Sequence, residues 1–117
     1  MCSIMPTVFV IGEDWTLRSL VRAELREHGI EALGMETADE VTRVIAAGTM
    51  PSAMVMDATS LPGELSALKP LAQGVPTIVI TSPAKLAPAW AAAVLHKPIT
   101  VGEVVAQTEI LLKGLAA

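Results

Sequence analysis

A chain of 117 residues has room for one core, because a domain of this size buries roughly two thirds of the surface its unfolded chain exposes. With 52% hydrophobic and 17% charged residues it is not a disordered chain, and despite a mean hydropathy of +0.57 its longest uncharged stretch, Pro70 to Ala84, is broken by three prolines and falls short of the ~20 apolar residues that cross a bilayer. A formal charge of −4 opposes a phosphate backbone, which argues against direct nucleic-acid binding.

Met1 to Val10 carries neither a basic segment nor a small-residue cleavage site, so the cytoplasm is the expected location. Cys2 is the single cysteine and can form neither an internal bridge nor a thiolate metal site. Thr7 to Ile11 (TVFVI) is a β-branched and aromatic run expected as a strand covered on both faces. After Gly12, Glu13 and Asp14, the spacing of Leu17, Leu20, Val21 and Leu25 predicts a helix that Gly29 closes.

Ile30 to Met35 reads as a second strand, and Thr37 with Glu40 three residues on reads as a capping box opening a helix through Val41, Val44 and Ile45 to Gly48. Ala53 to Met56 is a buried third strand with Asp57 at its end, followed by the turn-rich stretch Ala58 to Gly63. Glu64 to Leu68 allows a turn or two of helix before Pro70 would break it. Val75 to Thr81 is the fourth strand, the alanine-rich stretch Ala84 to Ala93 has room for a short interrupted helix, and Ala93 to His96 is the fifth strand. Thr100 caps a last helix carrying Val101, Val104, Val105, Thr108, Leu111 and Leu112.

Five successive strand–helix units with buried-type strands predict a single doubly wound α/β domain over residues 1–117, with a parallel sheet between helices. In such sheets ligands collect at the carboxyl ends of the strands, and these ends carry Glu13, Asp14, Asp57, Thr81, Ser82, His96 and Lys97. Clustered carboxylates repel one another unless a cation joins them, and hard oxygen ligands suit Mg²⁺. With a cation present, Asp57 has the chemistry of a carboxylate nucleophile toward phosphorus, with Lys97 and the Thr81 hydroxyl stabilising the added oxygens.

The segments TVFVIGEDWTLRSL, SAMVMD, LPG, PTIVITS and LHKPIT, in this order, resemble the response-regulator receiver domain of two-component signalling over nearly the whole chain. The resemblance implies the flavodoxin-like strand order 2-1-3-4-5. It implies Asp57 as phosphoacceptor, Thr81 as switch hydroxyl, and Lys97 followed by Pro98, whose peptide bond is often cis in the family. It also implies Mg²⁺ held by Glu13, Asp57 and the Thr59 carbonyl. The expected partners are a histidine kinase or phosphotransfer protein and a downstream protein, with a homodimer as a further possibility. Such a chain is no enzyme beyond self-catalysed phosphoryl transfer and autodephosphorylation.

Departures from the family pattern point to an alternative, a pseudo-receiver that binds a partner without phosphate. Gly12 stands where the first acid of the pair belongs, and Val94 stands where an aromatic switch residue is usual. The spacings of 24 residues from Asp57 to Thr81 and 16 from Thr81 to Lys97 are short, which implies trimmed third and fourth helices. Among the remaining residues, Arg18, Arg22 and Arg26 read as a solvated stripe with a docking role as the sharper reading, and His28 and His96 as ordinary polar positions. Met50, Met54 and Met56 are expected in the core, and Trp90 at a dimer or partner surface.

Overall fold

The computed structural model describes residues 6–58, 74–82 and 89–116. Five strands, β1 (Thr7–Ile11), β2 (Glu31–Met35), β3 (Ala53–Asp57), β4 (Thr77–Thr81) and β5 (Ala93–His96), form one all-parallel sheet in the order β2-β1-β3-β4-β5. Three helices are described: α1 (Trp15–Glu27), α2 (Ala38–Ala46) and the C-terminal α3 (Val101–Ala116). The expected sheet order is therefore the one observed. The short helix expected over Glu64 to Leu68 lies outside the described residues, as do residues 84–88 of the stretch Ala84 to Ala93.

Strand pleat sorts the core into two halves, because successive side chains point to opposite faces. Val8, Val10, Val55, Ile78 and Ile80 face one side and pack with Val21 and Leu25 of α1 and Val104 and Val105 of α3. Phe9, Ile11, Met54 and Met56 face the other side and pack with Ala38 and Val41 of α2. β3 and β4 are buried along their whole length, which explains why their sequences are continuous apolar runs and do not alternate.

Each helix begins on the residue that its capping chemistry requires. The Asp14 carboxylate accepts from the Thr16 and Leu17 amides at 3.0 and 3.2 Å, and Thr37 accepts from the Glu40 amide at 3.2 Å. Thr100 and Glu103 form a reciprocal box, the Glu103 amide donating to Thr100 Oγ1 at 3.1 Å and the Thr100 amide to Glu103 Oε2 at 3.2 Å. Gly29, with φ of 77°, turns the chain out of α1, a left-handed conformation that glycine adopts without a Cβ clash.

Three surface expectations are corrected. The arginine stripe of α1 is not simply solvated: Arg22 Nε and Arg26 Nη2 donate to the Ala32 carbonyl at 3.4 and 3.3 Å, and Arg18 is only 12% exposed at its side chain. β2 is an edge strand, so its outward carbonyl needs a partner, and the guanidinium groups supply one while blocking that edge against another chain. Gly34 makes this possible, since a Cβ there would lie 2.8 Å from Arg22 Cδ and 3.2 Å from Arg18 Cδ. Met50 is 60% exposed and lies outside the core, unlike Met54 and Met56. Trp90 is half-buried and packs on the α2-side cluster, so its indole fills the sheet's own face.

Phe9 is fully buried in the thinner, α2-side cluster and is the only phenylalanine. Phe9→Ala removes its ring from a site walled by rigid strands and is expected to cost about 3 to 5 kcal/mol of unfolding free energy, read as a lowered urea midpoint at unchanged slope.

Candidate functional site

The carboxyl edge of the sheet is set by ladder hydrogen bonds that run one residue past the strands. The Gly12 amide donates to Met35 O at 3.0 Å, the Ala58 amide to Ile80 O at 2.8 Å, and the Lys97 amide to Thr81 O at 2.9 Å. These bonds bring the ends of all five strands to one level. Residues 12, 57 and 97 continue the pleat of Val8 and Val10, of Val55, and of Ala93 and Leu95, so all three belong to the α1 and α3 face. Thr81 has the opposite parity, one residue beyond the Ile80 that pairs with Asp57.

Asp57 is 4% exposed, and Lys97 Nζ lies 3.1 Å from its Oδ2 across 40 residues of chain. A carboxylate buried to this degree carries a desolvation cost that a nearby ammonium offsets. Lys97 is 35% exposed at its side chain, so its apolar stem is covered while its charge reaches both Asp57 and water. The Lys97–Pro98 peptide is cis, as the resemblance implied. Thr81 is buried, and its hydroxyl donates to the Ser82 carbonyl at 3.4 Å, a long bond that leaves the oxygen able to turn toward another acceptor. An open cleft of about 550 Å³ lies against this edge, lined by Asp14, Leu17, Ser82, Lys97, Pro98 and Ile99.

The two acids after β1 separate in role. Asp14 is the N-cap of α1, its Oδ1 accepting two amides. Glu13 is exposed beside it. Gly12 is buried, and a Cβ built there would lie 3.0 Å from Asp57 Cβ, so β1 and β3 close together at a point where a side chain would force them to shift. Arg18 Nη1 donates to the Gly12 carbonyl at 2.6 Å and its Nη2 lies 3.7 Å from Glu36. This pinning of the turn by Arg18 is a feature that sequence reading missed. Its one signal is Gly34, whose lack of a side chain lets the arginine lie across β2.

The donor chemistry suits a Mg²⁺ ion that keeps most of its waters, since this ion is commonly held by one or two carboxylates. Asp57 and Glu13 are such carboxylates at the ends of adjacent strands, and both offer hard oxygens. Among the described residues no group of three His, Cys, Asp or Glu side chains converges, and Thr59 lies outside them. Asp14 has one carboxylate oxygen committed to helix capping. Among the described residues no helix is long and apolar enough to cross a membrane.

No family model matches the chain, and no curated protein matches it in sequence. Solved structures do match in fold. A response regulator receiver protein from Burkholderia phymatum superposes with a TM-score of 0.79 at 24% identity, covering 92% of this chain and 95% of that one. The receiver domain of a Francisella response regulator gives 0.76 at 21% identity over 94% and 98%. A response regulator from Thermotoga maritima gives 0.75 at 13% identity over 94% and 99%. The chain has the fold of response-regulator receiver domains.

Because Asp57 is the buried partner and Lys97 the half-exposed one, the two sides of the ion pair are unequal. Lys97→Met is expected to cost on the order of 1 to 3 kcal/mol by stripping a buried charge of its cation. Most of that cost is expected to vanish in an Asp57→Asn background, a coupling that urea unfolding of the four-member cycle measures.

Proposed function

We propose that this chain is a signalling receiver that takes a phosphoryl group on Asp57 from a histidine kinase or phosphotransfer protein and passes the change to a protein partner in the cytoplasm. The observation that carries the reading is the contact between Lys97 Nζ and Asp57 Oδ2 at the carboxyl edge of a receiver-type sheet. In the reaction a lone pair of the Asp57 carboxylate forms a bond to phosphorus. The bond from phosphorus to the donor's imidazole nitrogen breaks with its electron pair, and the product is an acyl phosphate.

Lys97 is placed to stay with the added anion, exchanging its contact with Oδ2 for one to a phosphoryl oxygen. Thr81 supplies a hydroxyl one residue beyond the strand position paired with Asp57, so a turn of its rotamer away from the Ser82 carbonyl would record the new charge. A divalent cation held by Asp57 and Glu13 would neutralise the two approaching anions. Added charge of about −1.5 to −2 would bias the loops at this edge between existing states.

Gly12 favours a second reading, in which the module binds its partner without phosphate, because the residue of the β1 end that lies against Asp57 carries no side chain. Intact mass spectrometry after incubation with acetyl phosphate and Mg²⁺ separates the two. The first reading expects one added phosphoryl group on the wild type and none on Asp57→Asn. An unlabelled wild type whose partner affinity equals that of Asp57→Asn establishes the second. Gly12→Asp adds an acid at the β1 end and is expected to lower the Mg²⁺ midpoint about tenfold, or about 1.4 kcal/mol, in a titration followed by amide resonances.

A further inference from the structure

His28 lies at the far end of the molecule from Asp57. It is the C-cap of α1, and each of its ring nitrogens faces a carboxylate: Nε2 lies 3.2 Å from Glu24 Oε2 on α1, and Nδ1 lies 3.3 Å from Glu109 Oε2 on α3. A neutral imidazole has one N–H and one lone pair, so it can satisfy only one of these carboxylates and turns its lone pair toward the other. An imidazolium donates to both. Only the charged ring satisfies both carboxylates at these distances.

We propose that His28 is a proton-operated brace that ties α1 to α3 and thereby sets the opening of the cleft at the other ends of these two helices. α1 and α3 pack directly on each other over the sheet face they share. Both start at the carboxyl edge of the sheet and run toward the opposite edge. At their starts, Asp14 and Leu17 of the α1 end face Lys97, Pro98 and Ile99 of the α3 end across the 550 Å³ cleft. Near their other ends stands the His28 bridge, so a change there acts on the angle between the helices. The brace acts whether or not Asp57 carries a phosphoryl group.

The groups around the ring agree with a cationic state. Glu24 comes from α1 and Glu109 from α3, and the neighbouring Pro6, Gly29, Ile30 and Leu112 carry no charge. Lys113, one turn beyond Glu109, is the one cation among the lining residues of this shallow cleft. The carbonyl end of α1 also favours a positive charge at its cap. The hydrogen bond to Glu24, followed by the field of Glu109, raises the His28 pKa above the ordinary imidazole value. A raised folded-state pKa means that the brace contributes fully below the unfolded-state value and is lost as pH rises through the folded-state value.

The test is an NMR pH titration of the full chain, reading the His28 ring protons together with the amides of α1 and α3. The expected result is a His28 midpoint above that of an unperturbed imidazole, a step at the same midpoint in the amides of Glu109, Leu112, Leu17 and Ile99, and loss of that step in His28→Gln. Glu109→Gln is expected to shift the His28 midpoint downward while keeping the dispersed amide spectrum of a folded sheet, which shows that the variant folds. An unchanged midpoint in Glu109→Gln overturns the brace. A step confined to Glu109 and Leu112, with Leu17 and Ile99 unmoved, overturns its reach to the cleft.

Discussion

The buried carboxylate of Asp57 and the lysine 40 residues away that meets it depend on one constraint, the parallel alignment of β1, β3, β4 and β5 with their carboxyl ends level. Parallel strands require crossovers, so each strand end is followed by a turn that leaves the sheet, and the residues in these turns are free of the packing that governs the strands themselves. Asp57 itself is the last, buried residue of β3, and a charge is tolerated there because Lys97 reaches its carboxylate at the level where the strands give way to turns. The sheet supplies the low-dielectric floor that makes the carboxylate costly to bury, and the same floor strengthens its attraction to Lys97.

Around this pair, small residues and arginines of α1 do the fitting. Gly12 lets β1 approach Asp57 so closely that an added Cβ would need a give of a few tenths of an ångström, and Gly34 lets two arginines lie flat over β2. Arg18 then holds the Gly12 carbonyl, while Arg22 and Arg26 cover the edge carbonyl of Ala32.

The α1 and α3 pair connects the two ends of the molecule. One rim of the cleft beside Lys97 belongs to the start of α1 and the other to the approach to α3, while the opposite ends of these helices meet through His28. The helices share the larger of the two core clusters, so each is held as a stiff element against the same face of the sheet. The α2 side lacks such an arrangement among the described residues, and Trp90 adds apolar bulk there.

What could be read from the sequence alone was whatever depends on local pattern. Continuous apolar runs gave the strands, Thr37 and Thr100 marked helix starts through their capping chemistry, and Gly29 marked a helix end through its backbone freedom. The order of Asp57, Thr81 and Lys97 at three successive strand ends followed from the same patterns. What only the tertiary structure decided was which of these groups touch and what the ambiguous residues do. A methionine, a tryptophan or an arginine stripe has the same sequence signature buried or exposed, and the pleat and helix packing separate Met50 from Met54, press Trp90 on the core and fold the arginines over an edge. The pairing of His28 with Glu109, 81 positions away, likewise exists only because α1 and α3 cover the same face of the sheet, a proximity that no local spacing encodes.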